Sequence, residues 1–452
     1  MSGRPARALP LARLLEHVAD AVAAVRAGRS LTDALDATPP PARPGTQALS
    51  FAAMRGLGRA LALRERLAPK APPAWVDALL LAALALAHEA EQRGDAAPYP
   101  LHTLVDQAVE AARTRAPAQA RFVNAVLRRA AREAAELDAA VRADPVARLN
   151  HPRWWVERLR ADWPEQADAL LAANQQAAPM VLRVNARRST LAEELRRFAE
   201  AGIGARAWPL GEPGARASTD AIVLDAPRPV AALPGFAEGR WSVQDLAAQR
   251  AAPLLLGAAA LLPGARVLDA CAAPGGKTAQ LLELAELDLL ALDVDARRLE
   301  RVGANLARLG LSARLVAGDA TAPAAWWDGR PFDAILLDAP CTGSGVVRRH
   351  PDIRWLRRPG DVAALAATQA RLLDALWPLL AQGGHLLYAT CSVFRAEGAA
   401  QIEAFLQRES QAEPKPSPGH LLPLAENAAD DAPASDTVAG DGFFYALLRK
   451  RG

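Results

Sequence analysis

From about Gln244 onward, short apolar stretches recur with helical segments between them, at Arg266–Asp269, Leu289–Asp293, Ala313–Ala317, Ala334–Asp338 and His385–Ala389. Parallel strands need long crossovers, and a helix is the usual one, so this alternation predicts a doubly wound, parallel α/β sheet of the Rossmann-like kind over residues 241–452. Phe443–Leu448 reads as a late strand. Ligands in open α/β sheets bind outside the carboxyl ends of the strands, so the residues just after each apolar stretch are the ones to read for chemistry.

The preceding part of the chain is different. From Pro10 to Ala143 apolar residues fall at helical spacing, with Leu11, Leu14, Leu15 and Val18 at the start and Val105, Ala108, Val109 and Ala112 later. Breaks at Thr38–Pro44, Pro69–Pro73, Pro98 and Pro100 divide it into an all-α bundle of five to seven helices, the domain 1–143. Its most apolar run, Ala78–Ala87, is about half the length of a bilayer crossing and reads as a buried helix. Residues 144–240 read as a small α+β domain. In it residues 144–152 form a linker, Trp154–Asn174 a helix, and Met180–Asn185 and Ala221–Leu224 strands.

Composition narrows the class. Met1–Pro10 carries Arg4 and Arg7 but no apolar run follows, so no signal peptide is expected. Three cysteines without a C-x-x-C pair exclude a disulfide framework and argue against zinc, so a reducing, cytoplasmic setting without a metal is expected; no membrane partner is expected either, and a monomer is taken as the default, since nothing in the sequence fixes oligomeric state. Residues 1–140 hold 18 Lys and Arg against 14 Asp and Glu, a small excess on the helical part. Within it, the segment Arg121–Arg129 sets Phe122 and Val126 beside Arg121, Arg128 and Arg129, an apolar face with a basic neighbour.

At the first strand end the chain reads Cys271-Ala272-Ala273-Pro274-Gly275-Gly276-Lys277 before the helix Ala279–Leu284. Gly275 and Gly276 let a ligand approach the backbone, and the helix N-terminus offers N–H groups to a carboxylate. The spacing is neither that of a dinucleotide fingerprint nor that of a P-loop. Asp293 ends the second strand and suits ribose hydroxyls; Asp319 follows the third and suits the exocyclic amine of an adenine. An Asp at a strand end often only caps the next helix, but three successive strand ends with suitable groups favour a cofactor site. Cys341 follows the fourth strand in Asp338-Ala339-Pro340-Cys341, and Cys391 follows the fifth in Tyr388-Ala389-Thr390-Cys391. Two thiols at strand ends facing one crevice suit covalent catalysis, one attacking and one moving a proton. A free thiol is only about a few per cent ionised at neutral pH, so a nearby cation is needed, with Lys277, Arg348 and Arg349 as candidates. Cys271 reads as a small buried hydrophobe.

The strings Asp269–Thr278, Asp338–Trp355 (with Arg348-Arg349-His350-Pro351-Asp352) and Tyr388–Val393 resemble the motifs of the two-cysteine RNA cytosine-5 methyltransferases. The likeness is narrower still to the bacterial 16S ribosomal RNA members, because Phe122–Arg129 is similar to NusB-like RNA-binding domains. This resemblance covers essentially the whole chain. It implies a NusB-like helical domain over 1–143, an RRM-like middle domain over 144–240 and a methyltransferase domain over 241–452, with small-subunit ribosomal RNA as partner. It makes Cys391 the nucleophile, Cys341 the group that assists product release, and Cys271, Ala272, Ala273, Pro274, Gly275, Gly276, Lys277, Asp293, Asp319 and Asp338 the S-adenosylmethionine site. Asp338 would also hold the cytosine at N3 and its amine. Arg121, Arg128, Arg129, Arg348 and Arg349 would touch RNA. The chain departs from the family after Cys391, where Arg395-Ala396-Glu397-Gly398 stands in place of an acidic pair and Asn, and Ala412–Gly440 reads as a flexible insertion.

Rival readings are testable on the same residues. An adenine amino-methyltransferase would carry an Asn/Asp-Pro-Pro-Tyr/Phe turn where Asp338-Ala339-Pro340-Cys341 stands. The other rivals are the same chemistry on transfer RNA or another ribosomal site, and a NusB-like RNA-binding scaffold with an inactive catalytic half. Binding of S-adenosylmethionine separates the scaffold from the enzymes.

Overall fold

The structure is a computed structural model that describes residues 9–210, 220–424 and 440–452. Arg4, Arg7 and residues 425–439 of the expected insertion lie outside the described residues. The chain forms two compact units: residues 1–176 with 347–359, and residues 177–346 with 360–452.

The helical unit is more finely divided than expected. Eight α-helices, not five to seven, lie between Leu11 and Val141. Gly56 separates the helices Arg43–Arg55 and Leu57–Leu67, where a Cβ would meet that of Ala85 at 3.0 Å. Helix Ala74–Arg93 is the hub, with every residue from Val76 to Leu86 apart from Asp77 an apolar member of the buried core. Among the described residues no helix is long and apolar enough to cross a membrane. Residues 144–152, expected as a linker, contain the short helix Pro145–Leu149. Asp144 caps it by accepting the Val146 N–H at 2.9 Å, proline occupies its first position, and Asn150 ends it at φ 52°. The helix expected over Trp154–Asn174 is two, Arg153–Asp162 and Ala167–Ala173, because Pro164 cannot continue the first.

The same unit takes in residues 347–359 from the far half of the chain, and this contact explains why it extends past 143 to 176. Asp352 accepts the Leu31 N–H at 2.9 Å, and Trp355 Nε1 donates to the Met54 carbonyl at 2.9 Å. Arg354, wholly buried, donates to the carbonyls of Asn150 at 3.1 Å and Asn174 at 2.7 Å. Burial and the neighbouring Arg55 lower its guanidinium to about 9.

The second unit holds two sheets. The smaller is wholly antiparallel, ordered β2-β3-β1-β4, from β1 (Met180–Val184), β2 (Ala205–Trp208), β3 (Ala221–Leu224) and β4 (Trp241–Val243). Helix Leu191–Glu200 packs on it and opens with a capping box, Thr190 and Glu193 each satisfying the other's backbone. The larger sheet contains β5 (Ala265–Ala270), β6 (Leu287–Asp293), β7 (Arg314–Ala317), β8 (Phe332–Asp338), β9 (Leu380–Thr390), β10 (Ala412–Leu421) and β11 (Phe443–Lys450), in the order β10-β11-β9-β8-β5-β6-β7. Strands β5 to β9 are parallel as expected, while β11 and β10 add two antiparallel strands at one edge. Residues 412–421 are therefore a strand and not part of a flexible insertion. Apolar clusters cover both faces of the sheet. Arg183 on β1 ties the sheets together: it is buried, pairs with Glu283 at 2.8 Å and donates to the Gly276 carbonyl at 2.8 Å.

The Arg354 contacts yield a test of the inserted segment. Arg354→Met should destabilise the helical unit by about 2–4 kcal/mol, since two buried carbonyls lose their charged donor. Urea unfolding followed by circular dichroism measures it; an unchanged midpoint overturns the account.

Candidate active site

Strand order reverses between β5 and β8, so the crevice at their carboxyl ends is the switch point where an α/β sheet binds ligands. After β5 the chain turns through Cys271 at φ 61° and Gly275 at φ 93° into the helix Gly276–Leu284. Gly275 is required twice over. Its φ is left-handed, and a Cβ there would lie 2.8 Å from the Val302 Cγ1. Gly276 has open space instead, with only Gln244 Nε2 near, at 3.6 Å. No side chain caps this helix, which leaves its first-turn N–H groups for an anionic ligand.

The loop is braced from below by Asp269, a role that sequence reading did not assign. Its Oδ2 accepts the Thr278 hydroxyl at 2.5 Å while Oδ1 has no partner, and burial raises the carboxyl to about 7. Asp293 at the end of β6 is buried; it accepts the N–H groups of Ala273 at 3.0 Å and Asp295 at 3.1 Å, so it shapes the loop as well as facing it. Asp319 lies two residues beyond β7 and is exposed. Both Thr321 hydrogen bonds fall on its Oδ1, which lowers its pKa and leaves Oδ2 for another donor.

Asp338, last in β8, holds the Lys277 ammonium at 2.6 Å. Burial works against that charge, but Asp338 outweighs it and Lys277 stays above its usual value; the Cys391 sulfur acts on it in the same direction. The Phe443 ring lies 5.2 Å from the ammonium. Of the three cations weighed for the thiol, Lys277 shares a unit with Cys391, whereas Arg348 and Arg349 belong to the helical unit, with Arg348 buried.

The two catalytic candidates meet. Cys341 Sγ and Cys391 Sγ are 3.3 Å apart. The hydrogen bond to Cys391, then burial, push the Cys341 thiol well above its usual value. Cys271 is pushed up to about 12 by burial and by Asp338 and Asp293, which suits an inert thiol. The loop after Cys341 is locked by backbone. Gly345 N–H donates to the Cys391 carbonyl at 3.0 Å and Gly442 N–H to the Gly345 carbonyl at 2.9 Å, and a Cβ on Gly345 would overlap the Gly442 carbonyl. Gly398 closes the segment Arg395–Gly398 that follows Cys391. A Cβ there would overlap the His420 ring, and His420 Nε2 accepts the Ala399 N–H at 3.3 Å. Burial lowers this imidazole to about 4, keeping it a neutral acceptor. The space beside Gly398 is thus occupied by a side chain from β10.

Arg121, Arg128 and Arg129 are exposed on the helix Ala120–Arg132; Arg128 donates to Asn124 at 2.9 Å and Arg129 to Glu133 at 2.8 Å. Among the described residues no group of His, Cys, Asp and Glu is placed to hold a metal.

Asp269 gives a pH test. Unfolded, an Asp titrates near 3.9; folded, Asp269 keeps its proton to about 7. Its stability contribution is therefore full below about 4 and is lost as pH rises through about 7. Asp269→Asn keeps the shape without the charge, so its melting temperature should rise relative to the parent chain between about pH 5 and 7.5 and then level off. A difference that does not change with pH counts against the buried-acid account.

Comparison with known proteins places these features. Residues 258–449 match the family described as 16S rRNA methyltransferase RsmB/F, and residues 151–231 match its ferredoxin-like domain. Ribosomal RNA small subunit methyltransferase B of Pseudomonas putida is 45% identical over 449 residues, spanning 96% of this chain and 97% of that protein. The protein of the same name from Xanthomonas campestris is 45% identical over 450 residues, spanning 98% and 96%. The crystal structure of PH0851 has a TM-score of 0.72 at 24% identity, over 96% of this chain and 99% of its own, a likeness of fold alone. The cofactor is S-adenosylmethionine, and the crevice offers groups of the kinds it calls for: an uncapped helix end at Gly276, a buried carboxylate at Asp293 and an exposed one at Asp319 whose Oδ2 is left by the Thr321 bonds. With its helical part, ferredoxin-like sheet and Rossmann-like sheet, the chain belongs to the RsmB/F family of 16S rRNA methyltransferases.

Proposed function

We propose that this protein methylates carbon 5 of a cytosine in 16S ribosomal RNA through a covalent bond between Cys391 and carbon 6 of the base. The observation that carries the reading is the 3.3 Å approach of two sulfurs at the ends of adjacent strands, beside the Lys277–Asp338 pair. A methyltransferase acting on oxygen or an exocyclic amine has no use for two thiols.

Carbon 5 of cytosine is a weak nucleophile until carbon 6 is attacked. Cys391 adds its sulfur to carbon 6, and the ring becomes an enamine whose carbon 5 carries the electron pair. Lys277 supplies positive charge near the attacking sulfur and opposes the negative charge that develops on the ring, while Asp338 accepts the exocyclic amine and, once N3 has taken a proton from water, the N3–H. Held at the uncapped end of the helix Gly276–Leu284 and by Asp293 and Asp319, S-adenosylmethionine would supply an activated methyl group for carbon 5. Once the Cys391 sulfur is a thioether, Cys341 gives its own proton to water and as the thiolate takes the carbon 5 proton; the C–H electron pair re-forms the ring double bond, the C–S bond breaks, and Cys391 departs as the anion. A physical sequence favours Cys341 for this second step. The contact that raises its thiol most is the one to the Cys391 sulfur, and that sulfur is no longer available once it has become a thioether.

The helical unit serves as the NusB-like RNA-binding part, acting in the cytoplasm where the small-subunit RNA is made. It carries a cleft of about 520 Å³ lined by Arg55, Arg59, Arg93, Arg142 and Arg148, alongside Glu89 and Asp138, a net positive lining suited to phosphates. Arg121, Arg128 and Arg129 add exposed basic groups on the helix Ala120–Arg132, and Arg349 is half-buried. Arg348 is withdrawn from the RNA set, since it is only 4% exposed.

Bisulfite sequencing of ribosomal RNA from cells with and without the protein tests the substrate; loss of one protected cytosine in the 16S RNA of the deletion strain is expected, and an identical pattern in both strains overturns it. Cys391→Ala should abolish methyl transfer, a drop of at least about a thousandfold, while cofactor affinity measured by titration calorimetry is kept. Cys341→Ala should stop the reaction at the adduct, seen as a protein–RNA band that survives denaturing electrophoresis. Full activity in either variant sinks the covalent mechanism.

A further inference from the structure

Glu397 has no part in the chemistry above, yet it is hydrogen-bonded to the residues that follow both cysteines. It is wholly buried. Its Oε1 accepts the Thr342 N–H at 2.8 Å and the Gln369 amide at 3.3 Å, and its Oε2 accepts the Thr342 hydroxyl at 2.5 Å and the Ser392 hydroxyl at 2.6 Å. Thr342 follows Cys341 in the chain and Ser392 follows Cys391. The carbonyl of Glu397 in turn accepts the Tyr388 hydroxyl at 2.9 Å and the Thr390 hydroxyl at 3.2 Å, which anchors it to the end of β9. A second bridge runs alongside: Ser344 and Ser392 hydroxyls lie 2.8 Å apart, and the Val393 N–H donates to the Ser344 hydroxyl at 2.9 Å.

Burying a carboxylate is strongly unfavourable unless its lone pairs are filled, and an apolar side chain would fill the same volume without that cost. Here four donors fill them, and three come from the residues that directly follow the two cysteines. We propose that Glu397 is a positioning residue, a buried carboxylate cross-brace that fixes the spacing of the Cys341 and Cys391 sulfurs and keeps the two thiols unequal. The inference deepens the cytosine reading of this site and rests on it for the reaction. Beyond the braces, the charge of Glu397 adds to the influences that hold the Cys341 proton in place. The proton therefore stays on the sulfur that must act second.

The experiment compares the full-length parent chain with Glu397→Gln, which keeps the size but turns one acceptor into a donor facing Thr342 or Ser392, and with Thr342→Val, which removes one donor and leaves the carboxylate. Iodoacetamide is applied over a range of pH, and alkylation at Cys341 and Cys391 is quantified separately by peptide mass spectrometry. Single-turnover methyl transfer to 16S RNA, melting temperature and S-adenosylmethionine affinity are measured on the same preparations. In Glu397→Gln the Cys341-to-Cys391 alkylation ratio should rise several-fold at fixed pH, and methyl transfer should slow roughly ten- to a hundredfold with cofactor affinity unchanged. Thr342→Val should move both quantities the same way by less. An unchanged ratio and rate in both variants overturns the proposal, as does a rate loss matched by parallel losses of melting temperature and cofactor binding, the mark of a role in folding only. Should Glu397→Gln fail to fold, Thr342→Val decides alone. If the parent chain puts no methyl group on cytosine, the cytosine reading fails, whereas the alkylation ratio still decides the brace.

Discussion

The Ala339 N–H donates to the Ala389 carbonyl at 2.9 Å, continuing the parallel register in which Asp338 pairs with Ala389. That rung is where β8 and β9 end together, and it brings Cys341 and Cys391, fifty residues apart in the chain, into sulfur contact. Parallel strands leave the sheet at the same edge, so whatever follows them must share one crevice. A one-residue slip between β8 and β9 would turn the side chains to opposite faces and separate the sulfurs. The apolar clusters on both faces of the sheet resist that slip, because each would lose its buried side chains to the other side.

Around this register the site divides into two electrostatic regions. At the carboxyl ends of β5 to β8 stand the acids Asp269, Asp293, Asp319 and Asp338, with the buried cation Lys277 bonded to Asp338. Asp338 belongs to both regions: it neutralises Lys277 and stands at the strand end nearest the thiols. On the other side Glu397 gathers hydroxyl and N–H donors beneath the cysteine loops. Raised thiols at Cys271 and Cys341 follow from burial among these acids and from the sulfur contact. Three cysteines of similar sequence setting thus have three different environments, and only their neighbours in space distinguish them.

The helical unit depends on a different kind of contact. A segment from within the catalytic sequence, residues 347–359, supplies Asp352, Arg354 and Trp355 to it. Motif residues that sequence reading treats as RNA contacts or thiol partners, Arg348 above all, are used for packing here. Such a division of labour has a physical logic: a guanidinium buried within the helical unit, as those of Arg348 and Arg354 are, is poorly available to phosphate, and exposed arginines at Arg121, Arg128 and Arg129 are better placed for it.

By itself the sequence determined the period-driven features. The five parallel strands, the glycine turn after the first of them, the acids at strand ends and the two cysteines were all legible, because apolar runs between helices and left-handed glycine positions are local signals. Tertiary structure decided the rest. β2 and β4 are short and only partly apolar, the antiparallel β10 carries three prolines along a sheet edge, and the helix Pro145–Leu149 is five residues long, so none has a strong period of its own. Asp269 and Glu397 look in the sequence like any acid near a strand end or a turn. What makes them matter is burial against partners 9 and 55 residues away, Thr278 and Thr342, and distances of that kind are set only when the sheet closes around them.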